Sequence, residues 1–185
     1  MSVYDHDVLV VGAGLAGMRA AIAADAAGAR VAVLSKVHPV RSHSNAAQGG
    51  INAALTDRGD PWEDHAFATV KGSDYLGDQD AIEVMCREAG QAIIEQEHMG
   101  VIFSRDETGH LGTRNFGGQQ RARTFFVADF TGQAMLHVMY EQVIKSGVHV
   151  YEEWFVTSLI VEDGVCCGVV ALDMMTGRSE EHTSE

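Results

Sequence analysis

Apolar positions along this chain are grouped in two ways, as short unbroken runs and as stripes at helical spacing. Asp7-Val-Leu-Val-Val11 is an unbroken run rich in β-branched residues, the pattern of a parallel strand buried on both faces. It passes straight into Gly12-Ala-Gly-Leu-Ala-Gly17. Met18 to Ala27 is then rich in alanine and predicts a helix that stops at Gly28. Arg30-Val-Ala-Val-Leu34 is a second buried run. Strand, glycine turn, helix and strand within about 30 residues make a βαβ unit, the opening of a doubly wound sheet.

From Ser35 to Gly50 periodicity is lost among small polar residues, which predicts an extended loop. Glu63 to Val70 reads as a short helix. Asp80 to Met99 reads as a long one, with Ile82, Met85, Ala89, Ile93 and Ile94 near helical spacing. Ser104 to Phe126 is loop-rich and carries Asp106, Gly109, Gly112 and Gly117-Gly118. Gly132 to Ser146 predicts a helix with Met135, Leu136, Met139 and Val143 on one side, and Val148 to Tyr151 returns to strand character. Phe155 to Val161 and Val165 to Leu172 flank Asp163-Gly164 as the arms of a β-hairpin. Thr176-Gly177 marks the next turn, and no third strand is expected after it. The expected fold class is α/β, a Rossmann-like βαβ unit with G-x-G-x-x-G followed by the start of a truncated β-meander.

Composition narrows the function classes. With 185 residues, 46% hydrophobic and 21% charged, the chain is ordinary globular protein with length for one sizeable core. A formal net charge of −13 argues against nucleic-acid binding, which needs clustered Lys and Arg. No apolar run approaches the roughly 20 residues that span a bilayer. A strand-like run so soon after Met1 leaves no room for a leader, so a chain made and kept in a prokaryotic cytoplasm is expected. Cys86, Cys166 and Cys167 have no C-x-x-C spacing and read as reduced thiols. His38, His65, His98, His110, His137 and His149 lack metal-ligand spacing and read as structural, so no metal site is expected.

The last eight residues, Arg178 to Glu185, back-translate to a string resembling a common sequencing-library adapter read in frame. The expected division is therefore 1–177 as the amino-terminal part of an incomplete binding domain and 178–185 as a non-native tail. Without one Arg and three Glu the formal charge of −13 becomes −11, so the chain stays acidic.

The candidate chemistry begins at Gly12, Ala13, Gly14, Leu15, Ala16 and Gly17. Gly12 allows the tight turn, Gly14 lets backbone approach a pyrophosphate, and Gly17 lets helix and strand pack closely. Unpaired amides and the helix dipole then hold the anion. An NAD-binding unit would carry Asp or Glu about 20 residues after the glycines. Here the second strand ends in Leu34-Ser35-Lys36, which weakens NAD and points to Ser35 and Lys36 near the adenosine side of another dinucleotide.

The loop after that strand holds Arg41-Ser42-His43-Ser44 and Ala46-Ala47-Gln48-Gly49-Gly50. This pair of elements resembles the flavin-linkage loop of succinate dehydrogenase and fumarate reductase flavoproteins. The resemblance continues through Thr69-Val-Lys-Gly-Ser-Asp74 to Asp80, Phe103-Ser104-Arg105, Asn115-Phe-Gly-Gly118, Ala128-Asp129 and Thr131-Gly132, in the family's order. It implies FAD as cofactor, with His43 bonded through its imidazole to the flavin 8α carbon. It also implies that Arg41, Ser42, Ser44, Ala47, Gln48, Gly49 and Gly50 surround the cofactor, with Phe116 near the dicarboxylate. The implied activity is interconversion of succinate and fumarate by hydride transfer. The implied partners are an iron–sulfur subunit and membrane anchor subunits at the inner face of the cell membrane. The family's acid–base and substrate-clamping residues lie in later segments, so no catalytic residue is expected within these 185 and the chain alone should not turn over. L-aspartate oxidase shares the A-Q-G-G element and is the rival enzyme reading; His43 speaks against it. A non-catalytic flavin-binding piece is the rival from another class.

Overall fold

The computed structural model describes residues 3–117 and 121–184. Gly118 of the family block and Glu185 of the tail lie outside the described residues. The chain divides into two compact units, Met1–Asn45 with Met135–Glu185, and Ala46–Ala134.

The first unit is built on the expected βαβ core. Strand β1 covers Val3–His6 and β2 covers Val8–Val11; helix α1 (Leu15–Ala26) follows the glycine turn, and β3 runs from Val31 to Ser35. A parallel sheet orders β2, β3 and β7 (His149–Glu152). All five residues of β3 are buried, as a central parallel strand requires. β2 stands at the sheet edge and is only half-buried. Helix α4 (Thr131–Lys145) reaches β7 and buries Met135, Leu136, Met139 and Val143, the stripe its sequence shows.

The meander is fuller than expected. β8 (Trp154–Glu162) and β9 (Val165–Asp173) pair antiparallel, and Asp163 and Gly164 at the turn have φ of 49° and 82°. Positive φ at both central residues matches strand twist, which explains the Asp-Gly pair. The chain then turns at Asp173–Gly177 and returns as β10 (Ser179–Ser184), antiparallel to β9 and parallel to β1. The expectation of no third strand is therefore corrected. Ladder bonds use backbone N–H and C=O groups, which any sequence supplies, so the polar tail gave no signal. β1 escaped notice for the same reason, since Val3–His6 alternates half-buried with exposed residues.

The second unit carries the long α-hairpin, α2 (Trp62–Gly72) and α3 (Gln79–Met99). Asp78 caps α3 by accepting from the Ala81 N–H at 3.1 Å. The loop-rich stretch contains two short strands, β5 (Thr113–Arg114) and β6 (Thr124–Phe125); β6 is central and pairs antiparallel with both β5 and β4 (Ile51–Asn52). Phe103 and Phe125 meet edge-to-face at 6.4 Å and are fully buried there. Arg123 is buried and donates to Asp60 at 2.8 Å. Cys86, Cys166 and Cys167 are all free, as expected. Among the described residues no helix is long and apolar enough to cross a membrane.

His182 on β10 is an anomaly. Its ring is fully buried among Tyr4, Tyr151 and Trp154 at 4.9, 4.7 and 5.1 Å, and neither nitrogen has a hydrogen-bond partner among the described residues. Burial, then the neighbouring His6, pushes its pKa down to about 4. The unfolded ring takes a proton near pH 6.5 and the folded ring does not, so stability falls as pH drops from about 6.5 towards 4. His182→Leu removes the stranded polar ring. It should raise the stability of this chain by about 1–2 kcal/mol at pH 7 and flatten the acid limb. Denaturant melts at pH 7 and pH 5 test this; equal acid sensitivity in both proteins would contradict it.

Candidate functional site

In the first unit the glycine turn is set by one steric fact. A Cβ at Gly17 would stand 1.9 Å from the Gly12 carbonyl oxygen, so α1 can lie against β2 only with hydrogen at this position. Gly12 itself has φ of 109°, and its N–H continues the ladder to Leu34 O at 2.8 Å. Helix α1 begins after Gly14 with no side-chain cap and no acidic residue in its first turn. Such an end presents amide N–H groups and the positive pole of the dipole to an anion.

The loop after β3 folds back over this end. A Cβ on Gly14 would meet Ser42 Oγ at 3.1 Å and Ser44 Oγ at 3.4 Å, so both hydroxyls line the turn. The Leu15 N–H donates to Ser44 Oγ at 3.4 Å. Ala13 is buried beneath. Gly12–Gly17 is thus brought together with Ser42 and Ser44, and this part can cradle a pyrophosphate. Ser35 is buried at the end of β3, and its hydroxyl donates to Val37 O at 2.5 Å. Lys36 Nζ lies 5.4 Å from the centre of the Phe155 ring. Arg41 and His43 are exposed, the first closing one 3₁₀ turn and the second opening the next.

The remaining predicted residues belong to the second unit. Ala47 O accepts from the Gly132 N–H at 2.8 Å. Gln48 is exposed. A Cβ on Gly49 would stand 3.0 Å from the Phe116 ring, so Phe116 packs on the glycine pair. Gly50 has φ of 113°, and a Cβ there would strike Phe125 O at 2.5 Å. Sequence reasoning missed Arg114. Its guanidinium donates to Gly49 O at 2.5 Å and lies 4.5 Å over the Phe126 ring. It holds the Gly49 carbonyl and reaches the Gln48 carbonyl at 3.4 Å. Arg114 lies just before the Asn115-Phe-Gly-Gly118 block and belongs to no local pattern.

The same unit has a cavity of about 560 Å³ walled by Asn52, His65, Lys71, Arg121 and Arg123. Asp60 and Asp64 lie close to the two arginines, at 2.8 Å and 3.5 Å. Burial, then the charge of Arg123, lowers the His65 pKa and so favours the neutral ring. Among the described residues no His, Cys, Asp and Glu cluster could hold a metal.

The chain resembles known proteins along nearly its whole length. The family model described as FAD binding domain matches residues 7–185. The succinate dehydrogenase flavoprotein subunit of Rickettsia bellii is 50% identical over 94% of this chain and 31% of its own length. The fumarate reductase flavoprotein subunit of Mycobacterium tuberculosis is 44% identical over 95% of this chain and 30% of its own. A structure of E. coli quinol fumarate reductase superposes with a TM-score of 0.95 at 38% identity, covering all of this chain and 32% of that one. The Mycobacterium smegmatis Sdh1 complex gives 0.96 at 30%, covering 34% of that chain. The chain therefore spans about a third of the length of the relatives it matches.

Gly17→Ala tests the close approach directly. The helix must lift from the strand, at an expected cost of about 1–3 kcal/mol, and the amide end moves with it. The full-length variant should purify with less than a tenth of the wild-type yellow absorbance. Wild-type flavin content in that variant would contradict the role given to this contact.

Proposed function

The chain belongs to the FAD binding domain family, and from that premise we propose that it is the FAD-holding portion of a flavoprotein subunit that interconverts succinate and fumarate. The observation that carries this reading is 50% identity to a succinate dehydrogenase flavoprotein subunit across 94% of the chain. The linkage-loop elements Arg41–Ser44 and Ala47–Gly50 fall within that span.

Each group of residues has a task that follows from its surroundings. The open end of α1, from Gly14 to Gly17, holds the pyrophosphate by its amides, with the Ser42 and Ser44 hydroxyls as further donors. Lys36 beside Phe155 offers a cation and an aromatic face to the adenosine side. Gln48, Gly49 and Gly50 present backbone to the flavin, with Arg114 holding the Gly49 carbonyl turned away. Phe116, packed on Gly49, borders the dicarboxylate. His43 is exposed on a 3₁₀ turn, where its imidazole can be the tether.

Bound FAD supplies the hydride chemistry, which the protein only positions and tunes. An imidazole on the 8α carbon withdraws electrons and makes the flavin a stronger oxidant. A shift of about 30 mV in a two-electron couple is worth about 1.4 kcal/mol.

The complete subunit would pass electrons to an iron–sulfur subunit, docked through anchor subunits on the inner face of the cell membrane. The substrate-clamping groups would come from the two-thirds of the subunit beyond this span. The half-buried edge of β2 fits that reading, because in a doubly wound sheet the strand opening the glycine turn is central. The tail, Arg178 to Glu185, is read as adapter-derived. Its support is the adapter-like back-translation together with His182, whose buried ring nitrogens have no hydrogen-bond partner among the described residues. Reading the gene past codon 177 decides that point.

The functional reading is tested on the full-length protein by acid precipitation. Yellow colour should stay with the wild-type pellet and leave with the supernatant of His43→Ser, which keeps FAD non-covalently at a lower potential. Colour released from the wild type would favour an L-aspartate-oxidase-like enzyme instead. An unchanged potential in His43→Ser would defeat the tuning role.

A further inference from the structure

Two side chains outside the expected site, Tyr140 and Glu152, converge on His38 in the loop that carries His43. The Tyr140 hydroxyl on α4 donates to Glu152 Oε1 on β7 at 2.9 Å. His38 Nε2 faces the same oxygen at 3.6 Å, and the His38 and Tyr140 rings meet edge-on at 5.2 Å. Burial, then the hydrogen bond to Glu152, pushes the Tyr140 phenol up, so Tyr140 keeps its proton and Glu152 remains the acceptor. Glu152 ends the last strand of the parallel sheet, so this acceptor sits on rigid structure.

From His38 the backbone leads to His43 through a chain of short turns. The Arg41 N–H donates to His38 O at 2.8 Å, and the Ser42 N–H donates to Pro39 O at 3.0 Å. The Asn45 N–H donates to Ser42 O at 2.9 Å. Pro39 is buried at the first position of its 3₁₀ turn, where its fixed φ stiffens the turn. On the far side of His43, Ser44 is tied to α1 through the Leu15 N–H. His43 therefore hangs between two posts.

We propose that His38, Glu152 and Tyr140 form a positioning anchor that holds the linkage loop at its amino-terminal post and sets the aim of His43. This rests on the reading of His43 as the flavin tether. The pair is half-exposed, so its effect on global stability is small, within about 1 kcal/mol. Its effect falls on geometry instead, because bond formation needs the imidazole within reach of one carbon, and small misplacements slow such reactions steeply.

The test uses the full-length protein, with total FAD measured by absorbance and covalent FAD by fluorescence of the denatured band. Glu152→Gln keeps an acceptor for Tyr140 and removes the charge facing His38. Tyr140→Phe removes one hydroxyl, and His38→Ala removes the ring. Each should lower the covalent fraction several-fold while total FAD and melting temperature stay near wild type. His38→Gln, which returns a polar side chain facing Glu152, should restore most of it. His38→Ala combined with Glu152→Gln should be no worse than the lower single variant. Should His38→Ala fail to fold, Glu152→Gln and Tyr140→Phe decide. Wild-type covalent fractions in those two overturn the anchor and leave the tether standing. A wild-type protein without covalent flavin overturns both.

Discussion

The contact between Gly17 and the carbonyl of Gly12 is the constraint on which the rest depends. With less than 2 Å between that oxygen and the place a Cβ would take, strand and helix approach as closely as backbone permits. The approach brings the uncapped amides of α1 to the carboxyl end of the parallel sheet, where ligands bind in open α/β folds. The Ser42 and Ser44 hydroxyls lie over that end, and Ser44 Oγ accepts from the Leu15 N–H. The cradle proposed for a pyrophosphate is therefore a product of packing before it is a product of charge. An acidic chain with a formal net charge of −13 can still hold a dianion there.

Much of this was legible in the sequence, and the reasons differ by element. The buried runs of β2 and β3 could be read because both faces of a parallel strand are apolar. The Asp163-Gly164 turn could be read because its dihedrals exclude most residue pairs. The linkage loop could not be read from periodicity at all. It was found by residue identity, through Arg41, His43 and the Gln48 glycine run. β1 and β10 escaped because a ladder is made by backbone, and neither strand carries a clean apolar alternation.

The contacts that sequence did not disclose are those joining distant residues. Arg114 reaches Gly49 across 65 positions and Arg123 reaches Asp60 across 63, and nothing local marks either arginine. The group around Glu152 joins a loop, a helix and a strand end that only the fold brings together. His182 shows the converse, a residue whose place in the fold conflicts with its chemistry.

The central claim is a bond between an imidazole nitrogen and the flavin. Trypsin cuts after Arg41 and Arg58 and releases Ser42–Arg58 as one peptide, with His43 its sole histidine. Mass spectrometry of that peptide from the full-length, flavin-loaded protein tests the claim most directly. The account predicts a peptide heavier by one FAD less two hydrogens, with fragments that place the addition on His43. The unmodified peptide, recovered from protein that held its full complement of FAD, would contradict it.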